Sequence, residues 1–317
     1  QGAAAPPASW GRRRQDGGWS EGRSASWNRG RQGDWQDDDE MLADEGWGEE
    51  EQLLLPAFAI DEEADYVYGV SSVLSALTVG RRNAKRLLLQ DSIVLANRKD
   101  GGLITTAERM ATEAGVPVLR VDKHRLNLIT NNRPHQGIAL EAEKLNFSPI
   151  RSLPPPPEGG ARPVWLALDE VTDPQNLGSL LRSALFLGAA GVLVSEKNSA
   201  PLTPAVSRAS AGAMELMTVH STRNLVRTLN DAKEAGWTVA GASFDNSVTV
   251  NELNPTAPIV LVLGSEGKGL RTSVLRECSA LVRVSRARSG ASAVLPEHEL
   301  LLDSLNVGVA GGVLLSA

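Results

Sequence analysis

The chain of 317 residues has one cysteine, Cys278, so no disulfide can form within it, and the expected compartment is reducing or indifferent. Histidine is nearly as scarce, at four residues, and no His/Cys cluster has metal-ligand spacing, so no metal is expected. No apolar run reaches the ~18 residues of a membrane-spanning helix. Nucleotide-phosphate signatures are missing as well: there is no Walker A loop, and no Gly-x-Gly-x-x-Gly follows a first strand. Nor does a Gly-x-Ser-x-Gly elbow surround Ser304, which argues against a serine hydrolase.

What is present divides unevenly along the chain. Five of the seven tryptophans (Trp10, Trp19, Trp27, Trp35, Trp47) lie in an opening stretch of Gly, Arg, Ser and Asp without helical or strand periodicity, so residues 1–63 are expected to be disordered. Residues 34–65 hold 14 Asp/Glu and no Lys or Arg; with a formal net charge of −6 overall, the remainder carries +8. That balance suits a polyanionic partner, and equally an ordinary solvated surface. The chain opens at Gln1, and Arg12, Arg13, Arg14, Arg23, Arg29 and Arg31 precede the acidic run, as in the remains of an organelle presequence or in a trimmed chain.

An apolar fraction of 42% suffices for two cores. Residues 66–146 read as a small α/β unit: a helix around Gly69–Leu77, strands near Arg86–Gln90 and Pro117–Val121, a helix from Thr105 to Ala114, and a strand at Gly137–Glu143. Residues 147–162, with Pro154-Pro-Pro-Pro157-Glu-Gly-Gly160, interrupt the pattern as a linker. From 163 to 317 strands and helices alternate, with a continuous Pro204–Ala213 helix among them. The strands are unbroken apolar runs, Ile259–Leu263 above all, as in a parallel sheet covered on both faces. Ligands of such sheets bind at the carboxyl ends of the strands, where the polar motifs fall.

Three motifs carry chemistry. Leu168-Asp-Glu-Val-Thr-Asp-Pro-Gln-Asn176 leads from a strand through a turn into a helix, and Arg182 follows nearly two turns later; the pair suits one mouth, or is a helix cap and a solvated side chain. Leu263-Gly-Ser-Glu-Gly-Lys-Gly-Leu270 is a glycine-rich turn after the most apolar strand, with Glu266 as a polar clamp for a nucleoside, or a plain turn. The last fifteen residues place Ser304 and Asn306 before an apolar helix whose Gly308, Gly311 and Gly312 admit another backbone closely. A basic run, Arg81, Arg82, Lys85 and Arg86, and the Lys123-His124-Arg125 group suit phosphate contacts or a solvated helix face.

In this order, each at a strand-to-helix junction, the three motifs resemble the SpoU branch of the SPOUT RNA methyltransferases. Tyr68-Gly-Val70, the Arg81–Arg86 run and His135-Gln-Gly137 are similar to that family's small ribosomal-protein-like RNA-binding domain. Asn198-Ser-Ala-Pro-Leu-Thr-Pro204 and Ser210-Ala-Gly-Ala-Met-Glu215 are similar to its organellar large-subunit rRNA branch. The resemblance implies an α/β trefoil-knot domain with a parallel sheet, preceded by the small α/β RNA-binding domain, and a homodimer formed through the knot. It implies S-adenosylmethionine as cofactor, held at Gly264, Val284 and Leu305. It also implies 2′-O-methylation of a ribose, that of a guanosine, in mitochondrial or chloroplast large-subunit rRNA; tRNA, or rRNA binding for ribosome assembly without full activity, are the alternatives. Catalysis falls to Asn176, Arg182, Glu266, Ser304 and Asn306, and RNA binding to Arg81, Arg82, Lys85, Arg86, His135 and Gln136. Methyl transfer from a sulfonium needs in-line alignment and stabilisation of the developing alkoxide, and requires neither metal nor membrane. A guanidinium keeps its proton up to a pKa above about 12, so Arg182 is expected to bind phosphate and alkoxide rather than act as a free base. The chain departs from the family pattern where Val284-Ser285 replaces Ile-Pro, in a long insertion through His298, and in Gly308 where serine is usual.

Overall fold

The structure, a computed structural model, describes residues 59–96, 98–159, 162–253, 258–285 and 304–317. The arginine-rich opening, most of the acidic run and the insertion with His298 lie outside the described residues. Of the stretch expected to be disordered, Asp61–Glu63 lie in a turn closed by the Ala64 amide on the Asp61 carbonyl, and the Asp61 amide donates to the Tyr66 hydroxyl at 2.9 Å.

The first lobe runs β1 (Asp65–Tyr68), α1 (Val70–Val79), β2 (Ala84–Gln90), α2 (Gly101–Glu113), β3 (Val118–Val121), α3 (Lys123–Ile129) and β4 (Ile138–Ala142). Its sheet has the order β1-β4-β2-β3, with β4 antiparallel to both neighbours and β2 parallel to β3. Alternate residues of β2 serve opposite faces: Leu87 and Leu89 pack with α1 and α2, and Leu88 packs with Leu126 of α3. The sequence pattern does not reveal β1 and α3, because four and seven residues are too short to show a period. Asp122 caps α3 through the Arg125 amide at 2.6 Å.

The second lobe begins inside the expected linker. β5 (Ser148–Pro149) pairs with the edge of the large sheet, Leu153 is buried, and the Trp237 indole donates to the Pro154 carbonyl at 3.0 Å. Then follow β6 (Val164–Asp169), α4 (Pro174–Phe186), β7 (Gly191–Ser195), α5 (Pro204–Ala209), α6 (Ala213–Leu216), β8 (Val219–Thr222), α7 (Leu225–Glu234), β9 (Thr238–Ala242), β10 (Val248–Thr249), β11 (Ile259–Gly264), α8 (Thr272–Leu275), β12 (Ala280–Arg283) and α9 (Val307–Ser316). The single helix expected over Pro204–Ala213 is two, broken where Ala211 and Gly212 take φ of 52° and 89°.

Eight strands in the order β10-β12-β9-β11-β6-β7-β8-β5 form the large sheet, and every pairing is parallel. β6 again divides its side chains: Leu166 and Leu168 join a core with α4 and α9, Trp165 and Ala167 one with α7. Burial on both faces explains why the strands read as continuous apolar runs. The order reverses at β6, from which the chain first builds outward to β8 and then crosses to the other side. Such a reversal opens a crevice at the carboxyl ends of the strands.

Candidate active site

At the carboxyl end of β6, Asp173 accepts hydrogen bonds from the amides of Gln175 and Asn176 at 3.2 and 3.3 Å, with Pro174 in the first turn of α4. Asp173 is therefore the helix cap, which frees the Asn176 side chain for another role. Asn176 is buried, and its Oδ1 accepts from Nδ2 of Asn306 at 2.9 Å. Asn306 in turn caps α9, accepting from the Gly308 and Val309 amides at 2.9 and 3.3 Å. One amide side chain thus joins two motifs that lie 130 residues apart.

The glycines of α9 explain how it reaches this position. Gly308 lies against Ser179 and Gly311 against Leu180 and Leu263, so α9 beds into α4 and against the end of β11. Gly264, the last residue of β11, is buried beneath the turn that follows, closed by the Gly269 amide donating to the Ser265 carbonyl at 2.8 Å. A side chain on Gly264 would enter the backbone of Gly269 and Leu270. Val284 follows the end of β12 and is half-buried against the core. Gly264 and Val284 therefore lie at the same edge of the sheet, two strands apart, while Ser304, Leu305 and Asn306 are exposed just before α9.

A cleft of about 480 Å³ opens beside this edge, lined by Glu170–Asp173, Asn198 and the turn from Ser265 to Lys268. Of the predicted residues only Glu266 lines it; Asn176, Arg182 and the Ser304–Asn306 group lie outside its walls. Arg182 is exposed on α4 and makes no ion pair or hydrogen bond among the described residues.

Next to the cleft's lining, Glu170 and the glycine-rich turn are held by residues to which the motifs assigned no role. The Asp169 carboxylate is fully buried and accepts from the Arg271 backbone amide at 3.0 Å and from Arg271 Nε at 2.8 Å. This charge-assisted pair ties the end of β6 to the glycine-rich turn and holds the Arg271 guanidinium above its ordinary pKa. Glu170, at φ 60°, links Arg271 to the amide of Asn198. Asp169 ends the strand quoted above, but nothing local to it signals a partner 102 residues away.

The predicted RNA-binding residues are placed very differently from one another. Arg82 is buried, with its guanidinium 1% exposed between Asp65 and Glu215, and it offers nothing to a phosphate. Arg81 donates to the carbonyl oxygens of Met214, Glu215 and Met217. Arg86 pairs with the buried Glu141 at 2.7 Å, and Lys85 pairs with Asp61 at the surface. The His135 ring is buried; Nδ1 accepts from the Gly137 amide and Nε2 lies 3.0 Å from Asn127 Oδ1. Burial, and the charge of Lys123, hold its pKa below the usual histidine value. Gln136, at φ 59°, accepts from the Val70 amide at the start of α1. In these residues the basic run and the His-Gln-Gly turn hold the lobe together, whereas Lys123 and His124 stay exposed on α3.

Comparison with known proteins agrees with this architecture. Residues 163–316 match the SpoU rRNA Methylase family, and residues 66–148 match the RNA 2′-O ribose methyltransferase substrate binding family. The chain is 37% identical over 288 residues to the mitochondrial rRNA methyltransferase 1 of Homo sapiens, covering 84% of this chain and 76% of that protein. It is 33% identical to the protein of the same name from Schizosaccharomyces pombe, covering 81% and 90%. Among solved structures, the AdoMet-bound rRNA methyltransferase from Sinorhizobium meliloti superposes with a TM-score of 0.60 at 26% identity, over 80% of this chain and 85% of that one. A parallel-sheet lobe preceded by a substrate-binding lobe is thus shared with proteins of known class, and the chain belongs to the SpoU family of S-adenosylmethionine-dependent RNA 2′-O-ribose methyltransferases.

Proposed function

We propose that the chain methylates the ribose 2′-hydroxyl of a guanosine in mitochondrial large-subunit rRNA, acting as a homodimer of trefoil-knotted lobes. The observation that carries the site assignment is the Asn176–Asn306 hydrogen bond, which brings α4, with Arg182, and the chain end, with Ser304, to one place. The substrate is read from the similarity to mitochondrial rRNA methyltransferases of two organisms. The sheet order supports a knot: β11 lies between β6 and β9, although β9 precedes it in the chain, and α9 returns to pack on α4.

The residues present fit S-adenosylmethionine. Gly264 to Lys268 runs from the carboxyl end of β11 into a turn, Ser304 to Asn306 is exposed backbone leading into α9, Leu305 is an exposed apolar surface for a purine, and Glu266 is an exposed carboxylate that favours a nearby cation. When bound, the cofactor supplies an electrophilic methyl group. Asn176 and Asn306 hold α4 and α9 in register, and Arg182, with no partner among the described residues, is available to bind the phosphate and to stabilise the alkoxide as the hydroxyl proton leaves. Ser304 is exposed beside them as a hydrogen-bonding group for the ribose. Lys123 and Lys99 are exposed cations of the first lobe that can steer RNA onto it, with the exposed His124 beside Lys123.

Mapping 2′-O-methylation in total mitochondrial RNA with and without the protein tests the substrate. One methylated guanosine of large-subunit rRNA is expected to disappear. Loss at a tRNA position instead would replace the substrate, and an unchanged map with impaired ribosomes would point to assembly.

The second copy has a face ready for it. Phe186 is 88% exposed at the end of α4, and Val309 and Val313, one turn apart on α9, which packs along α4, are 54% and 39% exposed. An apolar patch of this kind on two adjacent helices suits a self-complementary interface. Phe186→Glu is expected to convert the dimer to monomer in sedimentation analysis without unfolding the chain; a variant that stays dimeric would place the interface elsewhere.

A further inference from the structure

The seam between the two lobes is built around charges that the sequence pattern assigned to RNA. The described residues of both lobes belong to one compact unit, and within it Arg82 reaches across the seam. Its Nε and Nη2 meet both oxygens of Glu215 at 2.8 and 3.1 Å, and its Nη1 donates to Asp65 at 2.7 Å and to the Glu143 carbonyl at 2.9 Å. Both Arg82 and Glu215 side chains are 1% exposed. The break between α5 and α6 completes the fit, since a side chain on Gly212 would meet the Ser71 carbonyl of α1 at 2.9 Å.

What Glu215 stands on gives the contact its meaning. α6 follows α5, and α5 packs so closely on α4 that a side chain on Gly178 would meet Ala209 and the Val206 carbonyl. Met214, beside Glu215, is buried in the same core as Leu177 and Leu181. The first lobe is therefore fastened to the back of the helix that carries Asn176 and Arg182. A flexible tether would raise only the local concentration of bound RNA, whereas a rigid fastener also sets the distance from RNA contact to reacting ribose.

We propose that Arg82 and Glu215 are positioning residues, whose buried ion pair holds the RNA-binding lobe in register with α4 so that the bound RNA presents one ribose to Arg182. The inference rests on the reading of residues 66–148 as the lobe that holds RNA. Desolvating two charges brings little net stability, but the fork of a guanidinium on a carboxylate admits one geometry, which is what a register requires.

The test uses Arg82→Lys, which keeps the charge and loses the fork, and Glu215→Gln, which keeps the shape and loses the charge. Both are expected to bind S-adenosylmethionine like the parent while kcat on mitochondrial large-subunit rRNA falls roughly ten- to a hundredfold, as for a small misplacement of reacting groups, with KM for RNA changing little. A parent-like kcat, or a loss of rate matched by loss of cofactor binding, would overturn the proposal. If either variant does not fold, Arg82→Met combined with Glu215→Leu replaces the pair by apolar volume and is read in the same way. Spin labels at Glu113→Cys and Arg227→Cys, one on each lobe in a Cys278→Ala background, give a readout independent of RNA. A narrow distance distribution that broadens in the variants supports the proposal, and equal widths refute it. Should the parent methylate no RNA offered, the substrate reading fails and the label distances alone decide.

Discussion

Arg182→Ala abolishes methyl transfer while S-adenosylmethionine still binds: this is the largest effect expected of any single side chain here. The fold should hardly notice, because Arg182 is exposed and unpaired among the described residues, and surface changes of that kind usually stay within about 0.5 kcal/mol. The reaction should notice strongly. Removing one donor aimed at developing negative charge typically costs about 10²–10³ in rate, and loss of the phosphate anchor adds to that. Transfer of labelled methyl to RNA measures the first quantity and calorimetric titration the second. Arg182→Lys should fall between, since an ammonium keeps the charge but not the planar fork. Wild-type turnover in the alanine variant would remove Arg182 from the site.

The second large effect falls on packing at the chain end. Gly311→Leu is expected to lift α9 from its seat, because the new side chain would be forced into Leu180 and Leu263, whose Cδ1 atom lies 2.7 Å from the Cβ position. Overpacking costs typically about 1–3 kcal/mol, and here it acts on the helix that holds Asn306 against Asn176. Cofactor affinity should therefore fall together with thermal stability. Gly312→Ala is the control: its nearest neighbour, Ser183 Oγ, is 3.4 Å away, and alanine gains up to about 1 kcal/mol of helix propensity over glycine. If Gly311→Leu bound cofactor as well as Gly312→Ala does, α9 would not be part of the site.

Much of the fold was legible in the sequence for simple reasons. Strands buried on both faces read as unbroken apolar runs, and Ile259–Gly264 lies at the centre of the large sheet as such a run should. Asp173-Pro174 marked the start of α4, although the cap proved to be Asp173 rather than Asn176. Some short elements escaped: β1 and β8, with four residues each, are defined by their neighbours and not by their own pattern, whereas the equally short β3 was legible after Pro117. The cluster Arg81-Arg82 misled because like charges along a chain look solvated until the partners are known, and Glu215 is 133 residues away from Arg82.

By itself, the sequence determined the type of most of the longer elements and the three polar motifs, which depend on local periodicity, turn chemistry and residue size. Only the tertiary structure decided which charges face solvent and which are consumed inside. Arg82, in the loop between α1 and β2, is buried between two carboxylates, whereas Arg182 on α4 stays exposed, because a charge can be buried only where folding supplies a partner. The small residues of the last helix had a meaning in sequence only as permission for close approach. Packing against α4 turned that permission into the contact between Asn176 and Asn306 that joins the first motif to the last.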